Sequence, residues 1–160
     1  DAGFVYLPGG YPELYLAALS ANRQMLQSIR RYVESGGKLL AECGGMMYLC
    51  DEIRDKNGYV YPMAGVLHQS ATMENMKLRL GYRTLLYNET RLKGHEFHYS
   101  RLVEQQNPLP SCAVAYTAKG VETDTPLYHY KNVWAGYTHL YWADPVGNEW
   151  FTKFVIDGNT

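Results

Sequence analysis

The fold is decided by residues 38–49, which read KLLAECGGMMYL. A short apolar run ends at Glu42, the chain turns at Cys43, and a helical pattern begins at once with two glycines. Such a direct passage from strand to helix is typical of parallel sheets with helices on their faces. Residues 3–7 form another apolar strand, and residues 22–35 carry apolar side chains on one face at a period of 3.6. The sequence therefore predicts a βαβ unit.

The pattern changes outside this unit. Residues 12–20 predict a short helix, whereas residues 59–116 alternate in short extended segments that predict antiparallel sheet at one edge. Residues 132–142 predict a further strand, and Asp144 followed by Pro145 predicts the start of a closing helix. We expect an α/β fold with an open, three-layer, flavodoxin-like sheet, mostly parallel with an antiparallel edge, in a single domain.

Composition excludes several classes of protein. The chain has 160 residues, which suits one domain, and a formal net charge of -1, which gives no electrostatic case for nucleic acid or an anionic membrane surface. Apolar runs of only a few residues predict no transmembrane span. Three cysteines without CxxC spacing favour free thiols in a reducing compartment, so we expect a cytoplasmic protein.

Cys43 is the candidate nucleophile. It stands between the carboxyl end of a predicted strand and the start of a helix, where open α/β sheets place their ligand sites. A helix N-terminus lowers the pKa of a thiol, and the glycines that follow permit a strained turn and close approach of a substrate. The simpler alternative is a small buried residue at a tight turn. Cys50 and Cys112 are expected to be packing residues.

Backbone donors are expected beside this cysteine. Residues 8–10, Pro-Gly-Gly, follow the preceding strand, so their N–H groups emerge at the same edge of the sheet. Donors that point at a developing oxyanion are the strongest preorganised element of an acyl-transfer site. We therefore pair the N–H groups of Gly10 and Gly44 as a predicted oxyanion hole, although an ordinary turn is the alternative for Pro-Gly-Gly.

A cysteine nucleophile requires a base, and His139 and His98 are the candidates. His139 ends the last predicted strand and is favoured by its position, whereas His68 and His129 are expected at the surface or in packing. Residues 94–100, GHEFHYS, lack the His-Glu-x-x-His spacing of a metalloprotease helix and favour a strand. No metal site is predicted.

Four segments carry a family resemblance: PGGYPE at 8–13, AECGG at 41–45, GHEFHYS at 94–100 and YTH at 137–139. In this order they resemble the C-terminal glutaminase domain of cobyrinic acid a,c-diamide synthases, in the class I glutamine amidotransferase-like superfamily. The resemblance covers essentially the whole chain.

The resemblance implies roles for single residues. Cys43 corresponds to the nucleophile that attacks the glutamine side-chain amide, and His139, rather than His98, to the histidine that activates it. Many class I amidotransferases carry a glutamate two residues after this histidine, where this chain has Tyr141. A Cys–His dyad, or a third member elsewhere, is expected, and Glu96 and His98 are assigned a structural or substrate-side role.

The resemblance also implies partners. The family joins this domain to an N-terminal synthetase domain that binds ATP and Mg²⁺ and amidates the a and c carboxylates of a cobyrinic acid-type corrin. The chain contains no Gly-x-x-x-x-Gly-Lys-[Ser/Thr] motif, so we expect no cofactor in it and at most glutamine hydrolysis. The family's domain starts with a strand and helix that are expected before Asp1. The open sheet edge left there makes a homodimer plausible, which a monomeric mass by light scattering would contradict.

Three alternatives stay open at this point. The first is the glutaminase half of a related amidoligase that acts on another tetrapyrrole or a cell-wall precursor. The second is a catalytically silent interaction module of the same fold. The third is a cysteine hydrolase or thiol-stress protein on the same scaffold, which turnover of esters or peptides instead of glutamine would distinguish.

Overall fold

The computed structural model of the chain describes residues 2–157. In chain order the strands are β1 (Val5–Leu7), β2 (Leu39–Glu42), β3 (Glu52–Arg54), β4 (Val60–Pro62), β5 (Ser70–Thr72), β6 (Arg79–Tyr87), β7 (Thr90–His98), β8 (Arg101–Leu102), β9 (Val114–Thr117), β10 (Glu122–Thr123), β11 (Leu127–Tyr130), β12 (Val133–Gly136) and β13 (His139–Leu140). The helices are α1 (Leu16–Ala21), α2 (Arg23–Glu34), α3 (Gly44–Leu49) and α4 (Pro145–Asp157), with a short 3₁₀ turn over Pro12–Leu14.

A central sheet carries the predicted βαβ unit. Its strand order is β1-β2-β12-β11, in which β2 pairs in parallel with both neighbours and β11 pairs antiparallel with β12. Ala41 lies opposite Leu7 on one side and Ala135 on the other, so all three parallel strands end at the same edge. The α/β class and the parallel unit are confirmed, and the antiparallel edge strand of this sheet is β11, which lies outside the residues 59–116 predicted to form the antiparallel edge.

Alternate residues of β2 serve two hydrophobic cores. Leu39 and Ala41 are buried with α1, α2 and α3 on one face, whereas Leu40 is buried with Trp134 and the α4 residue Phe154 on the other. Because side chains alternate along a strand, the four-residue strand contributes to both cores. The resulting arrangement has three layers, as expected, and each fully buried aliphatic side chain contributes about 1.5–3 kcal/mol.

The middle of the chain forms more antiparallel structure than the edge that the sequence predicts. A second sheet has the order β10-β9-β6-β7-β13, and a third, smaller one has the order β4-β3-β5-β8. The long β6–β7 hairpin turns at Asn88 and Glu89, both at positive φ, which gives a tight connection that matches strand twist. These segments alternate apolar and polar residues, so each sheet places a row of apolar side chains against a core.

Two predicted elements are divided in the structure. The strand predicted over 132–142 ends at Gly136, and the chain then leaves the central sheet so that His139 and Leu140 pair with β7. The Tyr137 hydroxyl bonds Ser100 Oγ at 2.9 Å, which holds the crossing between the sheets. The helix predicted over 12–20 is likewise a 3₁₀ turn followed by α1, because the chain breaks at Tyr15 (φ −131°, ψ 20°).

The predicted helix over 22–35 is confirmed, together with both of its ends. The Asn22 side chain accepts a hydrogen bond from the Met25 N–H at 3.2 Å, and Gly36 follows the helix at φ 92°. Across residues 2–157, no helix has both the length and the apolar character needed to cross a bilayer.

Candidate active site

Cys43 occupies a strained turn between β2 and α3, which we call the elbow (residues 42–44). Its backbone has φ 50° and ψ −110°, a conformation that costs a residue with a side chain on the order of 1–3 kcal/mol. The turn is held by the Cys43 N–H, which donates to the Gly136 carbonyl at 2.8 Å, and by its carbonyl, which accepts from the Met47 N–H at 3.0 Å. The side chain is 5% exposed. A strained turn is therefore present at Cys43, where the sequence predicts one.

The glycines after Cys43 make room for the chain that follows β1, here called the glycine loop (residues 8–12). A Cβ on Gly44 would overlap the Gly10 carbonyl and lie 2.8 Å from Pro12 Cδ, and one on Gly45 would overlap the Leu7 carbonyl. The two glycines thus admit protein backbone, whereas the sequence suggested close approach of a substrate. This contact brings the two predicted oxyanion donors to one place.

Gly10 and Gly44 face each other across this contact. The Gly44 N–H lies at the thiol of Cys43, where it favours the thiolate. The Gly10 N–H makes no backbone hydrogen bond with the part of the chain that the structure describes, and Gly10 is exposed. Two N–H groups that point at a developing oxyanion would stabilise it, which is the role that the sequence predicts for Gly10 and Gly44.

His139 stands on β13 next to the glycine loop. A Cβ on Gly9 would overlap His139 Cε1, so the imidazole packs directly on the backbone of that loop. On its other side the ring stacks on His95, with 4.9 Å between centroids and 11° between planes, and Tyr141 stacks on His95 in turn. His139 and His95 are paired residues of β13 and β7.

The elbow, through Gly44, and His139 both pack against the glycine loop, and Cys43 and His139 both adjoin β7. The Cys43 thiol lies 3.7 Å from the Phe97 carbonyl, two residues beyond His95 on the same strand. Within residues 2–157 the structure records no hydrogen bond between the thiol and the imidazole of His139. The missing hydrogen bond is compatible with a catalytic pair, since catalytic hydrogen bonds are often long in a free enzyme.

The protonation states differ from the expectation that a helix N-terminus makes Cys43 acidic. Burial raises the pKa of the Cys43 thiol to about 11, the Gly44 N–H opposes this, and the carboxylates of Glu13, Glu42 and Glu96 raise it further. α3 has only six residues, so its dipole does not overcome burial. Burial lowers the pKa of His139, as do His95 and His98. At neutral pH the thiol of Cys43 and the imidazole of His139 are therefore both neutral, and a neutral imidazole can accept a proton.

Glu96 and His98 lie on the face of β7 that points away from His139. Glu96 forms a buried ion pair with Arg83 at 2.6 Å, and His98 Nδ1 donates to the Ser100 carbonyl at 2.9 Å while its ring stacks on Tyr137 at 3.7 Å. Burial opposes ionisation of Glu96, but hydrogen bonds from His98 and Thr125 and the charge of Arg83 hold its pKa below the usual range. These side chains form a polar network, and Glu96, His98 and Tyr137 also line a cavity of about 240 Å³.

The other predicted residues lie away from this site. Cys50 is fully buried, and Cys112 lies against the Leu127 carbonyl, so both pack as expected. His68 is exposed, and His129 stacks on Trp134. Among residues 2–157, no group of three or more His, Cys, Asp or Glu side chains is arranged to hold a metal ion.

Sequence reasoning missed three residues that surround the pair. Glu42, Gly9 and His95 were quoted within motifs but received no role. Glu42 had a detectable signal, because it is a carboxylate in a strand whose four residues are all buried. Gly9 and His95 had no detectable signal in the sequence, since their contacts with His139 join segments that are far apart along the chain.

Comparison with known proteins identifies the family of this chain. The model of the CobB/CobQ-like glutamine amidotransferase domain family matches residues 1–146. A solved structure described as a glutamine amidotransferase superposes with a TM-score of 0.63 over 96% of this chain and 79% of that one, at 18% identity, which shows a shared fold.

Curated relatives are closer in sequence. The hydrogenobyrinate a,c-diamide synthase of Stutzerimonas stutzeri is 38% identical over 143 residues, 89% of this chain and 33% of the relative. The cobyrinate a,c-diamide synthase of Fusobacterium nucleatum is 37% identical over 149 residues, 88% of this chain and 32% of the relative. The chain spans about a third of the length of these relatives. It belongs to the family of CobB/CobQ-like glutamine amidotransferase domains.

Proposed function

We propose that this domain hydrolyses the side-chain amide of glutamine, with Cys43 as nucleophile and His139 as base. The observation that carries the proposal is the strained elbow at Cys43, whose Gly44 packs against the same glycine loop on which the imidazole of His139 packs, and burial helps to keep that imidazole neutral. A neutral thiol and a neutral imidazole suit a mechanism in which the proton moves as the sulfur attacks.

The reaction proceeds in two steps. His139 takes the proton of Cys43 as the sulfur attacks the amide carbon, and the N–H groups of Gly10 and Gly44 bind the oxyanion. His139 then passes this proton to the departing ammonia and leaves a glutamyl thioester on Cys43. Water, deprotonated by His139, attacks the thioester, and glutamate leaves as the thiol recovers its proton.

The ammonia that this reaction releases would be the substrate of an ammonia-dependent ligase. The relatives' names and their roughly threefold greater length support a synthetase domain that uses ATP and Mg²⁺ to activate the a and c carboxylates of a cobyrinic acid-type corrin. A related amidoligase, for another tetrapyrrole or a cell-wall precursor, would use the same glutaminase step. We place the protein in the cytoplasm, where glutamine and ATP are abundant. The outer edge of β1 is unpaired within residues 2–157 and is the surface at which a homodimer would form.

The experiment is labelling with 6-diazo-5-oxo-norleucine, a glutamine analogue with an electrophilic carbon, followed by peptide mass mapping. We expect modification at Cys43, with loss of labelling in Cys43→Ser and His139→Ala and none at the buried Cys50, which serves as an internal control. Labelling only when the synthetase domain is joined to the chain would mean that the partner completes the site. Absence of labelling in both forms would reject the proposal.

A further inference from the structure

A buried carboxylate links the two halves of the candidate site. Glu42 directly precedes Cys43 and is 3% exposed. Its Oε1 accepts a hydrogen bond from the Leu140 N–H at 2.9 Å, and its Oε2 accepts one from the Tyr6 hydroxyl at 2.5 Å. Leu140 immediately follows His139, so a single side chain connects the residue before the nucleophile to the residue after the base.

The connection spans a junction between two sheets. β2, which carries Glu42, belongs to the central sheet, whereas β13, which carries His139, pairs with β7 in the second sheet. β13 has only two residues and two paired positions, so its own pairing fixes it weakly. The Leu140 N–H is a buried donor, and leaving it without an acceptor would destabilise β13 in this position.

We infer that Glu42 is the positioning residue of this site, which fixes β13, and with it the imidazole of His139, against the elbow that carries Cys43. This inference rests on the proposed roles of Cys43 and His139. In a catalytic triad, a carboxylate bonded to the histidine ring holds that ring in its orientation. Glu42 has the same task here, but it acts through the backbone of β13. In this chain Tyr141, the second residue after His139, stacks on His95 instead.

The charge of Glu42 and its positioning role make opposite predictions for the reactivity of Cys43, which allows the two to be separated by experiment. The negative charge of Glu42 raises the pKa of Cys43, together with Glu13 and Glu96, so its removal alone would make the thiol more reactive. Loss of position would instead make Cys43 less reactive, because His139 would no longer accept the proton in line. A displacement of about 1 Å lowers such a rate by about 100-fold.

The experiment compares Glu42→Gln with Glu42→Asp. Glutamine keeps the length of the side chain without its charge, and can accept from the Leu140 N–H while its amide donates to a rotated Tyr6 hydroxyl. Aspartate keeps the charge but is one methylene too short to span both partners. The rate of Cys43 alkylation by iodoacetamide at pH 7, followed by peptide mass spectrometry, requires no glutamine turnover.

We expect Glu42→Gln to retain most of the wild-type alkylation rate, and Glu42→Asp to fall about 100-fold, to the level of His139→Ala. Where glutamine turnover is measurable, the loss should lie in kcat with KM little changed. Ser111→Ala, which removes a comparable side-chain hydrogen bond to the Leu127 N–H on β11, should lower stability without changing the alkylation rate.

Other outcomes overturn the inference. A Glu42→Gln that is alkylated faster than the wild type, with a normal Glu42→Asp, would show that the charge of Glu42 matters and the length of its side chain does not. Normal alkylation in both, with only a lower melting temperature, would show that Glu42 merely stabilises the fold. Failure of wild-type labelling by the glutamine analogue would reject the proposed substrate while leaving this comparison of alkylation rates interpretable.

Discussion

Cys43 and His139 are both kept neutral by their surroundings. Burial raises the pKa of the thiol to about 11 and lowers that of the imidazole, so the site holds no preformed thiolate–imidazolium pair. Three carboxylates near the thiol reinforce this state. The thiol is therefore protected from chance oxidation and alkylation, because the thiolate is the reactive form. Reactivity then depends on the imidazole, and the groups around His139 determine the pH range in which the site works.

His95→Phe should move this range to higher pH. Phenylalanine keeps a ring stacked on His139 but removes one of the two histidines that lower its pKa, leaving burial and His98. The pKa of His139 then rises, so the imidazole becomes protonated, and unable to accept the thiol proton, at a higher pH than in the wild type. In a plot of the Cys43 alkylation rate against pH, the acid limb should move to higher pH.

The matched control for this change is His129→Phe. His129 stacks on Trp134 in a different sheet, and its removal should leave the acid limb in place. An unchanged limb in His95→Phe, or a shift to lower pH, would contradict the assigned coupling between the two imidazoles.

At the scale of single elements, the elbow depends on the contact between α3 and the glycine loop. Both follow strands of the central sheet, and both leave it at the carboxyl edge, where backbone meets backbone without side chains between. α3 itself is too short to be stable alone, since isolated helices below about 12 residues are marginal in water. Its position is therefore determined by packing against the sheet and the loop.

Gly44→Ala tests this contact through the sign of the change in the free energy of unfolding. Alanine in place of glycine within a helix ordinarily stabilises by about 1 kcal/mol. Here the added Cβ would overlap the Gly10 carbonyl, so we expect a loss of about 1–3 kcal/mol, measured by urea unfolding, together with loss of labelling at Cys43. Gly3→Ala adds a Cβ where no atom lies within 4 Å and should change neither quantity. A stabilised and fully reactive Gly44→Ala would refute the close contact.

At the scale of the whole molecule, two cores share one sheet. Leu39 and Ala41 contact the core that holds α1, α2 and α3, while Leu40 and Trp134 contact the core that holds α4 and part of the second sheet. Because the same strands line both, loss of either core removes support from the other. The candidate site lies where the sheets meet and depends on both cores.

This arrangement predicts a single unfolding transition. All three tryptophans (Trp134, Trp142 and Trp150) belong to the second core, so their fluorescence reports on it, whereas far-ultraviolet circular dichroism includes the helices of the first. Leu26→Ala in the first core and Phe154→Ala in the second should each lower stability by about 2–5 kcal/mol, with both signals moving together. Two separated midpoints would show that the cores unfold independently.

Local chemistry made much of this molecule predictable. The βαβ unit, the capped helix from Asn22 and the strained turn at Cys43 each depend on neighbours within about a dozen residues, so periodicity, capping residues and glycine spacing suffice to recognise them. The division of the strand predicted over 132–142 was not predictable, since apolar residues continue through Tyr137. The chain changes sheets there because β2 and β7 offer pairing partners in two directions.

By itself, the sequence determined the fold class, the family and the identity of Cys43 and His139 as candidates, because short ordered motifs carry that information. Only the tertiary structure decided the pKa shifts of these residues and the contacts that position them. The raised pKa of Cys43, the stacking of His95 on His139 and the bonds of Glu42 to Leu140 and Tyr6 all join segments far apart along the chain. Burial and hydrogen bonding across such distances arise from packing, which no local pattern of residues encodes.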